Sequence, residues 1–132
     1  VPTRGADHFD EIVGIFLGWG VNFALCFDDD SKGRKSLKEY VDNWAVGQSR
    51  AFTLKDISPE LTGRAIEGVV SDSDIQMIAH HYGIVGSPTK SQIQLFFSEK
   101  LALRELITLS ERFRSSVLAF DARVKLALQI TE

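Results

Sequence analysis

Three consecutive carboxylates, Asp28, Asp29 and Asp30, run into Ser31, Lys32 and Gly33, and no other stretch of the chain is as well suited to chemistry. They terminate the segment Gly20–Phe27, which is apolar and rich in strand formers. Burying one carboxylate is costly unless something positive neutralises it, and three together repel one another. A strand that ends this way offers hard oxygen ligands to a small divalent cation, Mg2+ or Mn2+. Gly33 then lets the backbone turn before the amphipathic stretch that follows.

The same residues admit other readings. Asp and Ser are common in turns, so the cluster could be a solvated loop without a ligand. Asp28, Asp30, Gly33 and Glu39 stand at positions 1, 3, 6 and 12 of an EF-hand calcium loop. Lys32 and Lys35 then fall where that loop takes an oxygen ligand and an apolar residue, and the entering segment reads as strand. A strand followed by Asp-x-Asp also opens haloacid-dehalogenase-type phosphatases, but there the second place after the motif is not a lysine and no helix comes first.

The elements that must position the cluster follow from periodicity. Phe9, Ile12, Val13, Phe16 and Leu17 recur at helical spacing, with Asp7, Asp10 and Glu11 near the start and Gly18 and Gly20 at the end. Residues 21–27 read as a buried strand. Leu37, Tyr40, Val41 and Trp44 mark a second helix closing near Gly47, and Arg50–Leu54 a second strand. Helix–strand–helix–strand order implies a parallel sheet with crossover helices. Residues 57–64 read as loop, and Ala65–Val70 is ambiguous between helix and strand. Ser71 and Asp72 cap a helix whose Ile75, Ile78, Ala79 and Tyr82 share a face before Gly83. After the Gly86-Ser87-Pro88-Thr89 linker, Ile93, Phe96, Phe97 and Leu101 form one stripe, and Phe113, Val117, Phe120 and Val124 another. The expected fold class is α/β, a short parallel sheet with flanking helices, followed by an all-helical C-terminal region. The expected division is residues 1–70 and 71–132.

The 132 residues, 44% hydrophobic and 25% charged, are those of a folded globular domain. A formal charge of −3 argues against a dedicated nucleic-acid coat. It leaves room for an enzyme that holds phosphates through metal ions. The one cysteine, Cys26, rules out an internal disulfide, fits a reducing cytoplasm and reads as a small buried hydrophobe. Ile12–Phe27 lacks charge but is too short and too broken by glycine to span a membrane. A glycine-rich phosphate loop ending in Lys and Ser or Thr is absent from the sequence, so nucleotide hydrolysis is not expected of this chain itself.

Asp-x-Asp-x-x-Gly after a strand and before a helix, within Ala24-Leu25-Cys26-Phe27-Asp28-Asp29-Asp30-Ser31-Lys32-Gly33-Arg34, resembles the TOPRIM domain of topoisomerases, primases and OLD-family nucleases. The surrounding residues look most like the OLD branch, in which the domain follows an ABC-type ATPase. Val1-Pro2 and Gly5-Ala6-Asp7 resemble the end of the second TOPRIM strand and its helix, and Ala65-Ile66-Glu67 a later acidic motif. The resemblance covers roughly residues 1–70 and implies a partial TOPRIM, Rossmann-like fold. It also implies metal-dependent cleavage of DNA, with Asp28 and Asp30 as ligands and Glu67 helping to hold a second ion. Asp29, alternating on extended backbone, would point the other way and support them. Two such ions would clamp a scissile phosphate between attacking and leaving oxygens. Lys32, Arg34, Lys35 and Lys38 would then contact the nucleic-acid backbone or simply offset the acids.

A lysine beside the leaving oxygen is expected in the helical region, Lys90 first and Lys100 second. The implied partners are DNA, an ATPase module in the same or another chain, and a second copy as dimer partner. The pattern departs from the family at one point. The strand ending in Glu-Gly that opens a TOPRIM domain has no counterpart before Asp28, and Glu11 reads as a surface acid. Glu67-Gly68 has that dipeptide but follows the Asp-x-Asp motif. The expectation is that the missing strand lies upstream of Val1. The competing class is a catalytically incomplete TOPRIM-like interaction or dimerisation module. His80 and His81 face different sides of a helix end and read as an exposed pair. Trp19 and Trp44 read as core.

Overall fold

The computed structural model describes residues 9–129. Val1-Pro2 and Gly5-Ala6-Asp7, matched above to a strand and helix, lie outside the described residues. Five α-helices and two strands are present among those described: α1 (Phe9–Trp19), β1 (Leu25–Phe27), α2 (Ser31–Asn43), β2 (Ala51–Thr53), α3 (Asp72–His81), α4 (Lys90–Leu103) and α5 (Glu111–Leu128). Short 3-10 turns cover Leu54–Asp56, Pro59–Leu61 and Ile66–Val69. β1 and β2 pair in parallel with Leu25 opposite Ala51 and Phe27 opposite Thr53, so the α/β reading holds. From Asp72 on, the described residues form helices and no strand, as expected of the C-terminal region.

The chain forms two compact units, one running to Ile66 and joined by the segment from Leu118, the other Glu67–Val117. In the first, Val13, Phe23, Leu25, Phe27, Tyr40 and Val46 form a buried core. Phe27 is its centre, 5.2 Å from Phe9 and stacked on Tyr40 at 5.8 Å, with Tyr40 in turn 5.6 Å from Trp44. A two-stranded pairing of three residues is marginal alone, so this aromatic layer carries the unit. Phe52, Leu54 and Leu61 are also fully buried, each contributing roughly 2 kcal/mol by removal from water.

In the second unit Val70, Ile78, Ile93 and Phe96 are buried together, and Phe97 stacks on Phe113 at 5.7 Å. α3 starts at its expected cap, Ser71, whose hydroxyl accepts the Asp74 N–H. α4 starts at Thr89 with a reciprocal capping box to Gln92.

Several sequence expectations are corrected. The strand expected over 21–27 is confined to Leu25–Phe27, because β2 offers only three residues to pair with. α2 begins at Ser31, directly on the acidic cluster, and ends at Asn43, with Ala45 at φ 54° reversing the chain before Gly47. Trp19 is not core. It is 79% exposed, because six residues beyond Val13 it comes round about 120° from the buried side of α1. Trp44 does pack against the core. Leu101 and Val117, members of the two apolar stripes, are exposed.

Gly33 is needed for space, not for a left-handed turn. A Cβ there would stand 2.0 Å from the Asp28 carbonyl oxygen and 3.0 Å from its carbon. Backbone, unlike a side-chain tip, cannot step aside cheaply. Gly33→Ala is therefore expected to cost on the order of 3 kcal/mol, read as a lowered urea midpoint; a midpoint equal to that of the wild type would refute the close packing.

Candidate functional site

The acidic cluster sits at the carboxyl end of β1, and burial alternates along it. Phe23, Leu25, Phe27 and Asp29 are buried, while Ala24, Cys26 and Asp28 are partly exposed and Asp30 exposed. Period-two alternation thus carries the inward position past the last apolar residue and onto a carboxylate. Asp29 is 2% exposed. Its Oδ2 accepts the Gly63 N–H at 2.5 Å, its Oδ1 is 3.2 Å from Nη1 of Arg34, and Thr53 donates a further hydrogen bond. The Gly63 amide bond holds the Asp29 carboxyl below its ordinary value; burial opposes this, and Arg34 and Thr53 add to the lowering.

The two flanking carboxylates are used differently. Asp28 Oδ1 accepts the Ile66 N–H at 3.0 Å. Asp30 is the N-cap of α2, and its Oδ1 accepts the Gly33 N–H at 2.6 Å. Each bond occupies one oxygen of a carboxylate that has two, so both side chains keep acceptor capacity. The Asp29 N–H donates to Arg64 O at 2.9 Å. The cluster thereby ties residues 63–66 to the end of β1 through three hydrogen bonds.

Glu67 and Lys90, assigned from sequence to a metal ligand and a leaving-group cation, meet each other. Lys90 Nζ lies 2.6 Å from Glu67 Oε1, with Glu67 largely buried. Lys100 pairs with Glu105 and lies over the Phe96 ring at 5.8 Å. Among the described residues, no three His, Cys, Asp or Glu side chains stand together in a way that could hold a metal ion. His80 and His81 are exposed at the end of α3, His81 edge-on to Phe96 at 5.3 Å. Glu11 is exposed on α1.

One polar centre went unnoticed in the sequence. Asp74 is buried in the second unit, with Oδ2 accepting the hydroxyls of Ser71 (2.7 Å) and Ser110 (2.6 Å) and Oδ1 the Ser110 N–H (2.9 Å). Burial pushes its carboxyl up, but the bonds from Ser110 and Ser71 outweigh this and leave it below its ordinary value. Ser110 in turn accepts the Phe113 N–H at 3.2 Å in the first turn of α5. The signal available was the spacing Ser71-x-x-Asp74, that of a capping box. Burial, then the charge of Asp28, pushes the Cys26 thiol up to about 12, which disfavours its reactive thiolate form.

Two outcomes follow. Asp29 and Asp74 both have folded values below the unfolded 3.8, so the stability they contribute is present above 3.8 and is lost as pH falls through the folded values. Urea midpoints of the wild type should hold from neutrality to about pH 4 and then drop. Asp29→Asn should start lower at neutral pH and show a shallower acid slope; an unchanged slope would contradict the clamp. Native Cys26 should also react with iodoacetamide far more slowly than Cys26 of the urea-unfolded chain, and equal rates would contradict its burial.

No helix among the described residues is long and apolar enough to cross a membrane. In comparisons with protein-family models, curated proteins and solved structures, nothing matches this chain.

Proposed function

We propose that this chain supplies the divalent-cation-binding part of a DNA phosphodiesterase, as its resemblance to TOPRIM domains of OLD-family nucleases implies. The observation that carries the reading is the placement of Asp28 and Asp30 at the carboxyl end of a parallel strand, with Asp29 turned inward between them. Ligands of open α/β sheets bind outside that end of the strands. Mg2+ is commonly held by one or two carboxylates, with water and substrate phosphates completing its shell, so two aspartates with remaining acceptor capacity fit such an ion. When bound, the ion would neutralise charge on a phosphate oxygen. The chain's own part is to hold both carboxylates in place, Asp28 by the Ile66 amide and Asp30 by the first turn of α2. Lys90 is kept as the general cation of the reaction. Its partner Glu67 is the proposed support of a second ion, which would have to compete with that ammonium. DNA, an ATPase module and a second copy are the proposed partners, in the cytoplasm.

A second reading has its own support. All three aspartates already accept backbone N–H groups, so the cluster also makes sense as a purely structural fastening in an interaction module without activity. Calorimetric titration with Mn2+ and Mg2+ separates the two, run beside an Asp28→Ala, Asp30→Ala variant whose fold is checked by circular dichroism. Saturable binding by the wild type that vanishes in the folded variant is the expected result. A folded wild type that takes up neither ion would overturn the cation site and leave the interaction module.

A further inference from the structure

The first unit contains a second feature that the acidic cluster does not explain. A cavity of about 540 Å3 opens beside α2, in the size range of small-molecule sites. Three cations line it, Arg34 and Lys38 one turn apart on α2 and Arg123 on α5. Arg123 is held in place: its guanidinium lies 4.3 Å over the Phe52 ring and donates to Ser49 O at 3.1 Å. One such bond uses one of five N–H donors, so a fixed fork remains for an anion. Arg34 lines the same cavity and also bonds Asp29, through its carbonyl at 3.0 Å and its carboxylate at 3.2 Å. A single residue therefore borders both the cavity and the acidic loop.

The rest of the lining decides what kind of anion fits. Leu37, Val41 and Ala51 supply an apolar wall, and Asp42 and Asp56 supply carboxylates. A bare anion would be repelled by those acids and would waste the apolar wall. The occupant must bring negative charge, an apolar body and hydrogen-bond donors together. We propose that the cavity binds a nucleoside phosphate. Its phosphate lies on Arg34, Lys38 and Arg123, its sugar and base lie on the apolar wall, and its amino or hydroxyl groups face the carboxylates. The ligand is either a free nucleotide or one nucleotide unit of a strand. In the latter case the inference deepens the proposed phosphodiesterase reading and rests on it, giving the strand a seat next to the acidic loop.

The test is made in EDTA, so that it does not depend on the cation. Binding of adenosine monophosphate is measured by calorimetry, and binding of a short fluorescein-labelled single-stranded oligodeoxynucleotide by anisotropy. Two variants at exposed positions are compared with the wild type, Lys38→Glu to reverse a cation and Gln48→Trp to fill the cavity, with folding checked by circular dichroism. The expected result is saturable binding, weakened roughly tenfold or more in both variants and kept in Asp28→Ala, Asp30→Ala. Binding of the mononucleotide identifies a free nucleotide as occupant, and binding of the oligonucleotide alone identifies a strand; either supports the proposal. It is overturned if the folded wild type binds neither probe, if the variants bind as the wild type does, or if inorganic phosphate competes as well as the nucleotide. Binding that appears only when the EDTA is replaced by Mn2+ would also overturn it, while leaving the cation site standing.

Discussion

Asp29 is a carboxylate almost out of water, and the geometry of the first unit is referenced to it. An ionised group in that position is tolerable only when donors surround it. Here they come from three places: the amide of Gly63 in the loop after β2, the hydroxyl of Thr53 at the end of β2, and the guanidinium of Arg34 in α2. None of these is adjacent in sequence to the others. Each is drawn in because the strand alternation puts a charge where the next apolar residue would have gone. Gly33 belongs to the same arrangement, since the first turn of α2 can lie against the Asp28 carbonyl only if no Cβ intervenes. The orientation of Asp28 and Asp30 is thus set by backbone contacts, not by side-chain freedom, which is the condition for a preorganised site.

How far this was legible in the sequence depends on the range of the interaction involved. Helix α1, the cap at Ser71 and the start of α4 after Thr89 could be read because their causes are local: apolar spacing, a hydroxyl before a helix, a Gly-Ser-Pro-Thr break. The inward turn of Asp29 was legible for the same reason, since alternation is local. Its partners were not. Nothing in the residues around Gly63 says that its amide faces a carboxylate 34 positions earlier. Trp19 failed because apolar character was taken for burial, when helical phase decides which side of α1 meets the core. The short extent of β1 was hidden because strand length is set by the partner strand.

Asp74 shows the same limit in the second unit. Its link to Ser71 is local and its link to Ser110 is not, yet the second makes it important. One carboxylate accepts from residues that cap two different helices, α3 and α5. Helix N-termini favour negative charge nearby, so placing one anion at two of them satisfies both with a single buried group.

The first unit is also discontinuous, because the segment from Leu118 belongs with residues that precede Glu67. Its late contacts are specific: Asn22 donates to Leu128 O at 2.9 Å, and Arg123 reaches Ser49 and Phe52. Chains emerge from the ribosome from the N-terminus, and domains tend to fold as they emerge. This unit cannot finish in that order. Its sheet and first two helices are synthesised early, but the side of Phe52 that Arg123 covers must wait until the entire Glu67–Val117 unit has been made. Closing so long a loop costs little more free energy than closing one half its length. The delay therefore falls on the timing of folding, and the exposed aromatic ring in that interval is what the growing chain has to keep from other partners.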